Sequence, residues 1–406
     1  MSSVATSAAT MPAAGQAPQP AGSTGVWDGP QVVLVHDWIG GVHGAEQVLR
    51  ELATLFPTAP ILTLFTDTKV LPALGIDPAR VQQSYLGRIP NAVRFRKALL
   101  PWFADAVQTL DVGDAALIVS SSHAVAKSIP HRSYQRHLSY VYSPMRYAHD
   151  LMPQYLAGVP RILRPWIRGV LRRLAVWDVA MSNGVDRYVG ISRVVAERIW
   201  RTYRRRAAVL HPPVDVDAIP AGAGPRGDYY VAVSRLVSYK RLDLAVQAAG
   251  LAGRRLVVIG QGPERARLEA LARGHSVEFM GWVSDRTKYE VLAGARALLF
   301  PGEEDFGIVG VEALACGVPV IALGRGGMLD VVGSESGALL GDGVRAEAGG
   351  VLVGEQSAEA LARGMTLLES SDLADRSEYR RLALSFSTPN FRRRFLELAR
   401  RVMARG

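Results

Sequence analysis

Eight positions separate Glu304 from Glu312 in the stretch FPGEEDFGIVGVEALACGVPVIA. The segment reads as a strand, a glycine-containing turn, a short helix and a second strand. Glu304 then falls in the turn before the helix, and Glu312 on the helix's second turn. Ile308 and Ala315, four positions before and three after Glu312, are apolar and share its face. A carboxylate there costs several kcal/mol unless something hydrogen-bonds it, and the hydroxyls of a bound sugar or ribose would do so. A plainer alternative makes Glu304 a first-turn acid favoured by the helix dipole and Glu312 a solvated side chain.

A second cluster lies in SRLVSYKRLD, where Arg235 stands at the carboxyl end of the strand YYVAV and Lys240 and Arg241 open the next helix. Cations at a helix N-terminus are disfavoured by about 0.3–1 kcal/mol each, so the cluster predicts an anion in its midst. A pyrophosphate fits, held also by free amides at the start of the Gly307 helix; otherwise Asp243 and solvent neutralise the charges. In HDWIGGVHGAEQV, Gly40 and Gly41 permit a tight turn and close backbone approach to a ligand. The pattern is neither G-x-G-x-x-G nor a Walker loop, so dinucleotide binding and ATP hydrolysis are not read from it. His123 stands at the exit of the strand DAALIVSSS, a place where a single histidine is more often structural. Ser120, Ser121 and Ser122 are expected to cap the following helix, since no G-x-S-x-G elbow surrounds them. Asp215 and Asp217 read as a turn after two prolines rather than a metal site, and no metal is expected.

The elements that must position these residues form two series. The first runs through QVVLVHDW, ILTLF, DAALIVSSS, HLSYVYS and RYVGIS, with a helix from about Ala45 to Phe56. The second runs through YYVAVSRL, RRLVVIG, SVEFMGW, ARALLFPG, VPVIAL and GGVLVG, with a helix from about Tyr239 to Leu251. Short β-rich runs alternating with helical stretches predict parallel sheets covered on both faces, in two doubly wound α/β domains. HPPVDVDAIPAGAGPRGD is the linker candidate. The expected division is a disordered tail over 1–25, an N-terminal domain over 26–213, a C-terminal domain over 214–385 and a final helix over 386–406 packing back on the first domain. Two such domains enclose a cleft at the carboxyl ends of their strands, where the chemistry should lie.

Composition bounds the reading further. The 406 residues suit roughly two domains of ordinary size. One cysteine, Cys316, excludes an intrachain disulfide and a cysteine metal cluster and fits a reducing cytoplasm. The N-terminal stretch lacks the charged start and apolar run of a signal peptide, and no run approaches the roughly 18 apolar residues of a membrane span. A soluble or peripheral protein is expected. The net charge of +10 is uneven, with clusters at Arg94, Arg96 and Lys97; at Arg161, Arg164, Arg168, Arg172 and Arg173; at Arg201, Arg204, Arg205 and Arg206; and at Arg392, Arg393 and Arg394. The first two are interleaved with large apolar residues, which fits an interfacial helix better than a nucleic-acid groove; solvated helix faces are the alternative.

Together, SRLVSYKRLD, FPGEEDFGIVGVEALACGVPVIA and the glycine turn at Gly40 resemble the family-4 retaining glycosyltransferases of the GT-B fold, over nearly the whole chain from about Val32. The stretches HDWIGGVHGAEQVL, SSSHAVAKS, YVYSPMRYAHDL, WDVAMSNGVDRYVGIS and HPPVDVD are similar to the subgroup that includes O-antigen mannosyltransferases using GDP-mannose. The resemblance implies that Arg235 and Lys240 grip the donor diphosphate, that Glu304 binds hydroxyls of the transferred sugar and that Glu312 binds the ribose. It places backbone amides of Phe306, Gly307 and Ile308 on the sugar and phosphate, Gly281, Trp282 and Val283 at the base, and Gly40 and Gly41 near the phosphates from the opposite domain. His123 matches the family histidine that faces the reacting sugar. Asp305 departs from the usual glycine after the first glutamate, which puts the backbone there in question. A front-face, retaining hexosyl transfer without metal or other cofactor is implied. The expected acceptor is a lipid-linked or soluble glycan in exopolysaccharide or O-antigen synthesis, and the basic, tryptophan-containing stretches of the first domain suit one carried on polyprenyl diphosphate at the inner membrane face; nucleic acid is not an expected partner. The rival readings are a UDP-sugar-dependent hexosyltransferase, a GT-B nucleotide-sugar 2-epimerase, and a non-enzymatic basic module whose affinity falls steeply with salt.

Overall fold

The computed structural model describes residues 25–222, 224–334, 337–371 and 375–404; the expected disordered tail lies outside them but for Gly25. The first sheet contains β1 (Val32–His36), β2 (Ile61–Thr63), β3 (Val81–Gln83), β4 (Leu117–Ser122), β5 (Arg136–Val141), β6 (Arg187–Gly190) and β7 (Ala207–Val209). All pair in parallel, in the order β3-β2-β1-β4-β5-β6-β7. Its central strands are buried on both faces, which is why β1 reads Val-Val-Leu-Val and β4 opens Leu-Ile-Val before its three buried serines. Val33 and Val35 point into one layer with Leu86, Phe103 and Leu171. Val32 and Leu34 point into the other, with Leu49, Ile199 and Phe395.

The second sheet contains β8 (Tyr229–Val233), β9 (Arg255–Ile259), β10 (Val277–Gly281), β11 (Ala297–Phe300), β12 (Val320–Leu323), β13 (Val344–Glu347) and β14 (Gly350–Val353). Its order is β10-β9-β8-β11-β12-β14-β13. Here the expectation of a purely parallel sheet needs correction, because β13 runs antiparallel to β14 at the edge. Two residues join this pair, a connection too short for a parallel crossover.

Each sheet reverses its winding direction once, between β1 and β4 and between β8 and β11. The loops after those four strands carry Asp37–His43, His123, Arg235–Arg241 and Pro301–Gly307. Such switch points are where open α/β sheets leave a crevice, and the two crevices face each other. The C-terminal helix Thr388–Met403 returns to the first domain: Phe391 and Phe395 pack on Tyr140 at 5.8 and 6.3 Å between ring centres, and Arg392 pairs with Glu51 at 2.6 Å. This fold is the two-domain α/β architecture with a returning terminal helix that the residues predict.

Candidate active site

Between the domains lies a cleft of about 1140 Å³. Gly44, Ala45, Tyr142, Arg146, Leu151 and Gln154 line it from the first domain, and Lys240, Arg241, Glu304, Phe306, Gly307, Ile308 and Gln356 from the second. The approach is close: a Cβ added at Gly44 would sit 3.3 Å from Ile308 Cδ1. Gly44 opens the helix Gly44–Leu55 and Ile308 opens the helix Ile308–Ala315, so unpaired backbone amides of both helices border the same space. Gly307 sits at φ +100°, and a Cβ there would meet Met328 Sδ at 2.6 Å, so glycine is required on both counts.

Glu304 and Lys240 form an ion pair at the cleft wall, both largely buried. Lys240 ends a single turn, Ser238–Lys240, and the helix proper begins only at Leu242. Arg241 occupies the left-handed region at φ +54°, a strained placement for a non-glycine residue, and it pairs with Asp243 at 3.2 Å. Asp243 therefore neutralises Arg241, as the alternative reading held, while Glu304 neutralises Lys240. Arg235 is exposed, without a carboxylate partner among the described residues, and is not part of the lining.

Glu312 borders an adjoining cavity of about 530 Å³, shared with Ile308, Asp285, Lys288 and Tyr289. It is buried rather than solvated, with 8 % of its surface exposed. Its Oε1 accepts from Lys288 Nζ at 2.9 Å and from the Tyr289 hydroxyl at 3.4 Å. Its Oε2 is buried and accepts no hydrogen bond among the described residues. Burial raises the Glu312 pKa, and Lys288 only partly offsets this. At Lys288 burial opposes the charge, but Glu312 outweighs it and the ammonium is held well above its usual range. The carboxylate is thus incompletely satisfied at a cavity wall, an arrangement suited to accepting ligand hydroxyls. Lys288 and Asp285 lie 24 and 27 positions before Glu312 and read in the sequence as an ordinary helix start.

Across the cleft the organising group is Asp37, fully buried at the end of β1. Its Oδ2 accepts from the amides of His123 and Ala124 at 2.6 and 2.9 Å, and its Oδ1 from those of Val125 and Ala126, both at 2.7 Å. His123 Nδ1 lies 3.1 Å from the same carboxylate, off the line of a good hydrogen bond. The imidazole packs edge-on against Trp38, 4.3 Å between ring centres. Asp37 and Trp38 thus set both the backbone and the ring of His123. His123 itself stands beside Tyr142 rather than in the cleft lining.

The remaining predicted residues divide as follows. Gly40 packs under Val93, and Gly41 lies against the His43 ring; neither lines the cleft, whose wall is formed by Gly44 and Ala45 instead. Gly281, at φ +74°, ends β10, while Trp282 is 76 % exposed; neither they nor Val283 border either cavity. The serines are not caps: all three are buried in β4, where Ser120 bonds Ser139 and His137 at 2.8 Å and Ser121 bonds Tyr142 at 2.8 Å. Asp215 accepts the Ala218 amide at 3.3 Å, a turn. Asp305 joins the domains: its carboxylate accepts from Arg198 at 2.8 Å and Arg146 at 3.3 Å, and its carbonyl from Ser192 Oγ at 2.6 Å. Asp330 makes a second such joint, with the Arg193 amide at 2.8 Å and His211 at 2.9 Å.

Residues 221–383 match the family described as "Glycosyl transferases group 1". The GDP-mannose-dependent alpha-(1-6)-phosphatidylinositol dimannoside mannosyltransferase of Mycobacterium tuberculosis is 37% identical over 124 residues, 29% of this chain and 32% of that protein. The D-inositol 3-phosphate glycosyltransferase of Mycolicibacterium smegmatis is 30% identical over 191 residues, 41% of this chain and 44% of that protein. The chain thus spans less than half the length of the curated relatives it matches. Among solved structures, Anabaena HepE in complex with UDP superposes with a TM-score of 0.62 at 17% identity, covering 91% of this chain and 99% of HepE. The sucrose-phosphate synthase of Thermosynechococcus elongatus gives 0.63 at 19% identity, covering 93% of this chain and all of that one. At those identities the likeness is one of fold, the GT-B arrangement of two facing α/β domains.

Proposed function

With a glycosyl transferases group 1 domain as its second half and a GT-B architecture around the cleft, we propose that the chain is a retaining hexosyltransferase that moves mannose from GDP-mannose to a glycan acceptor in polysaccharide synthesis. The observation that carries this is the pair of carboxylates on one helix and its leading turn, Glu304 in the cleft and Glu312 at the adjoining cavity with a buried, unpaired oxygen. Glu312 takes the ribose hydroxyls. Glu304 takes hydroxyls of the sugar, and Lys240, released from Glu304, takes the diphosphate together with the amides of Gly307 and Ile308. In this reading His123, beside the cleft-lining Tyr142, supports the sugar's side of the first domain from behind the wall. The anomeric carbon–phosphate oxygen bond breaks, the acceptor oxygen bonds to the same face of that carbon, and the acceptor's proton passes to the departing phosphate. Lys240 and the amides stabilise the charge that develops on the diphosphate, and Lys240→Ala lowers turnover by about 10²–10³.

Guanine, in this reading, lies in the cavity beside Glu312. Asp285, paired there with Lys288 at 3.0 Å, would exchange that partner for two adjacent N–H groups of guanine, and Lys288 would donate to its carbonyl. Uracil offers one N–H between two carbonyls. A polyprenyl-diphosphate-linked acceptor would enter from the Leu151 and Gln154 side. Calorimetric titration with GDP, UDP and ADP, repeated on Glu312→Ala, tests the reading. GDP should bind selectively and lose affinity in the variant; a preference for UDP overturns the donor, and no binding of any nucleotide overturns the transferase.

A further inference from the structure

The four basic clusters fare differently in the fold. At the C-terminus, Arg392 pairs with Glu51, Arg393 with Glu397 at 2.8 Å, and Arg394 donates to the Val209 carbonyl. In the third cluster Arg201 pairs with Glu197 and Arg205 donates to the Val185 carbonyl, while Arg204 and Arg206 are exposed. By contrast Arg88, Arg94, Lys97, Arg161, Arg168, Arg172 and Arg173 are all exposed and none has a carboxylate partner among the described residues. The segments that hold them, 78–104 and 151–177, carry ten arginines and lysines and not one acid, while the whole chain's net charge is +10. The rest of the chain is therefore neutral.

Both segments cover the same face of the first sheet, since Leu86, Leu100, Phe103, Leu171 and Leu174 share one core layer with Val33 and Val35. Their outward sides also expose large apolar groups: Phe95 and Trp102 in one, Ile162, Trp166 and Val176 in the other, with Ile162 87 % exposed. On the helix Arg164–Met181, the exposed Arg168, Arg172 and Val176 follow at four-residue spacing and form one stripe. A surface that is merely solvated has no reason to combine exposed aromatics with unpaired cations.

We propose that this face of the first domain seats on an anionic lipid bilayer, with Ile162, Trp166, Phe95 and Trp102 entering the headgroup boundary and the arginines meeting lipid phosphates. Apolar insertion with basic attraction is the chemistry of interfacial helices; a nucleic-acid groove would not present Ile162 bare. The seat borders the cleft, because the helix Met152–Ala157, next to the cleft-lining Leu151 and containing Gln154, leads into this stretch. The proposal deepens the acceptor reading above, but its evidence and its test are independent of nucleotide binding.

The test is co-sedimentation of the full chain with phosphatidylcholine vesicles and with phosphatidylcholine–phosphatidylglycerol vesicles, at low and high salt. Binding should require the anionic lipid and weaken with salt. Arg168→Glu with Arg172→Glu should weaken it by about thirtyfold or more, and Ile162→Ser with Trp166→Ala by about tenfold or more, while Arg393→Glu should leave it unchanged. Circular dichroism and a thermal melt on each variant separate a misfolded protein from a lost seat. Equal loss in Arg393→Glu, no effect of the Ile162 and Trp166 changes, or no vesicle binding by wild type overturns the proposal. Displacement of the protein from anionic vesicles by equimolar duplex DNA would also overturn it, in favour of nucleic acid.

Discussion

Replacing Asp37 by asparagine should damage the first domain out of proportion to the size of the change. Each carboxylate oxygen accepts two backbone amides, at 2.6 to 2.9 Å, inside a fully buried pocket. Asparagine keeps the shape, but in either orientation its NH₂ group faces two N–H donors. Two charge-assisted hydrogen bonds are lost, at about 1.5–3 kcal/mol each, and the other two lose their charge. The loss comes to about 3–6 kcal/mol from the two lost bonds alone, a large share of the about 5–15 kcal/mol that holds a domain together. In a thermal melt followed by circular dichroism it should appear as a fall of about 6–24 °C. His123→Ala keeps all four amides on Asp37 and should stay within about 1 kcal/mol of wild type. If Asp37→Asn melted within 2–3 °C of wild type (about 1 kcal/mol), the clamp would not be what holds the His123 loop.

Glu304→Gln should bind GDP more tightly than wild type in calorimetry, because Lys240 no longer has a competing carboxylate, while sugar transfer falls; weaker GDP binding would mean the pair does not open for a ligand. Acid should destabilise the protein well above the carboxylate range. Burial first and foremost lowers His36 to about 4 and His137 to about 3, so their contribution is whole above the unfolded value near 6.5 and is lost as pH falls toward those figures. At pH 5 this amounts to about 2 kcal/mol each, and a urea midpoint unchanged between pH 7 and pH 5 would contradict it. Asp305→Gly removes the carboxylate from Arg146 and Arg198 while sparing the carbonyl that Ser192 reaches. These side chains are partly solvated, so stability should change by about 1 kcal/mol or less, yet small-angle scattering should report a larger radius of gyration as the domains part more easily; an identical curve would remove Asp305 as a joint.

What could be read from the sequence follows the range of the interactions concerned. β1, β8, β9, β11 and β12 announce themselves because burial on both faces demands a nearly unbroken apolar run. β3 and β7 are three residues long, and β13 reads Val-Arg-Ala-Glu on an edge; none leaves a local signal. Lys240 and Glu312 could be singled out because each breaks a local rule: a cation at a helix start and a carboxylate on an apolar helix face. Asp37 breaks none. Its partners lie 86 to 89 positions away, and a strand ending in aspartate is unremarkable until the strand order places β4 beside β1. The buried serines misled for the same reason, since Ser139, His137 and Tyr142 become their partners only across the β4–β5 pair. Charge balance was hidden most completely. The sequence displays Lys240 and Glu304, or Lys288 and Glu312, as separate charges awaiting a ligand, whereas the fold sets each against the other. A nucleotide sugar entering this cleft therefore exchanges ion partners instead of filling a field of bare cations. That exchange is why removing an acid, Glu304, is expected to strengthen the binding of an anion.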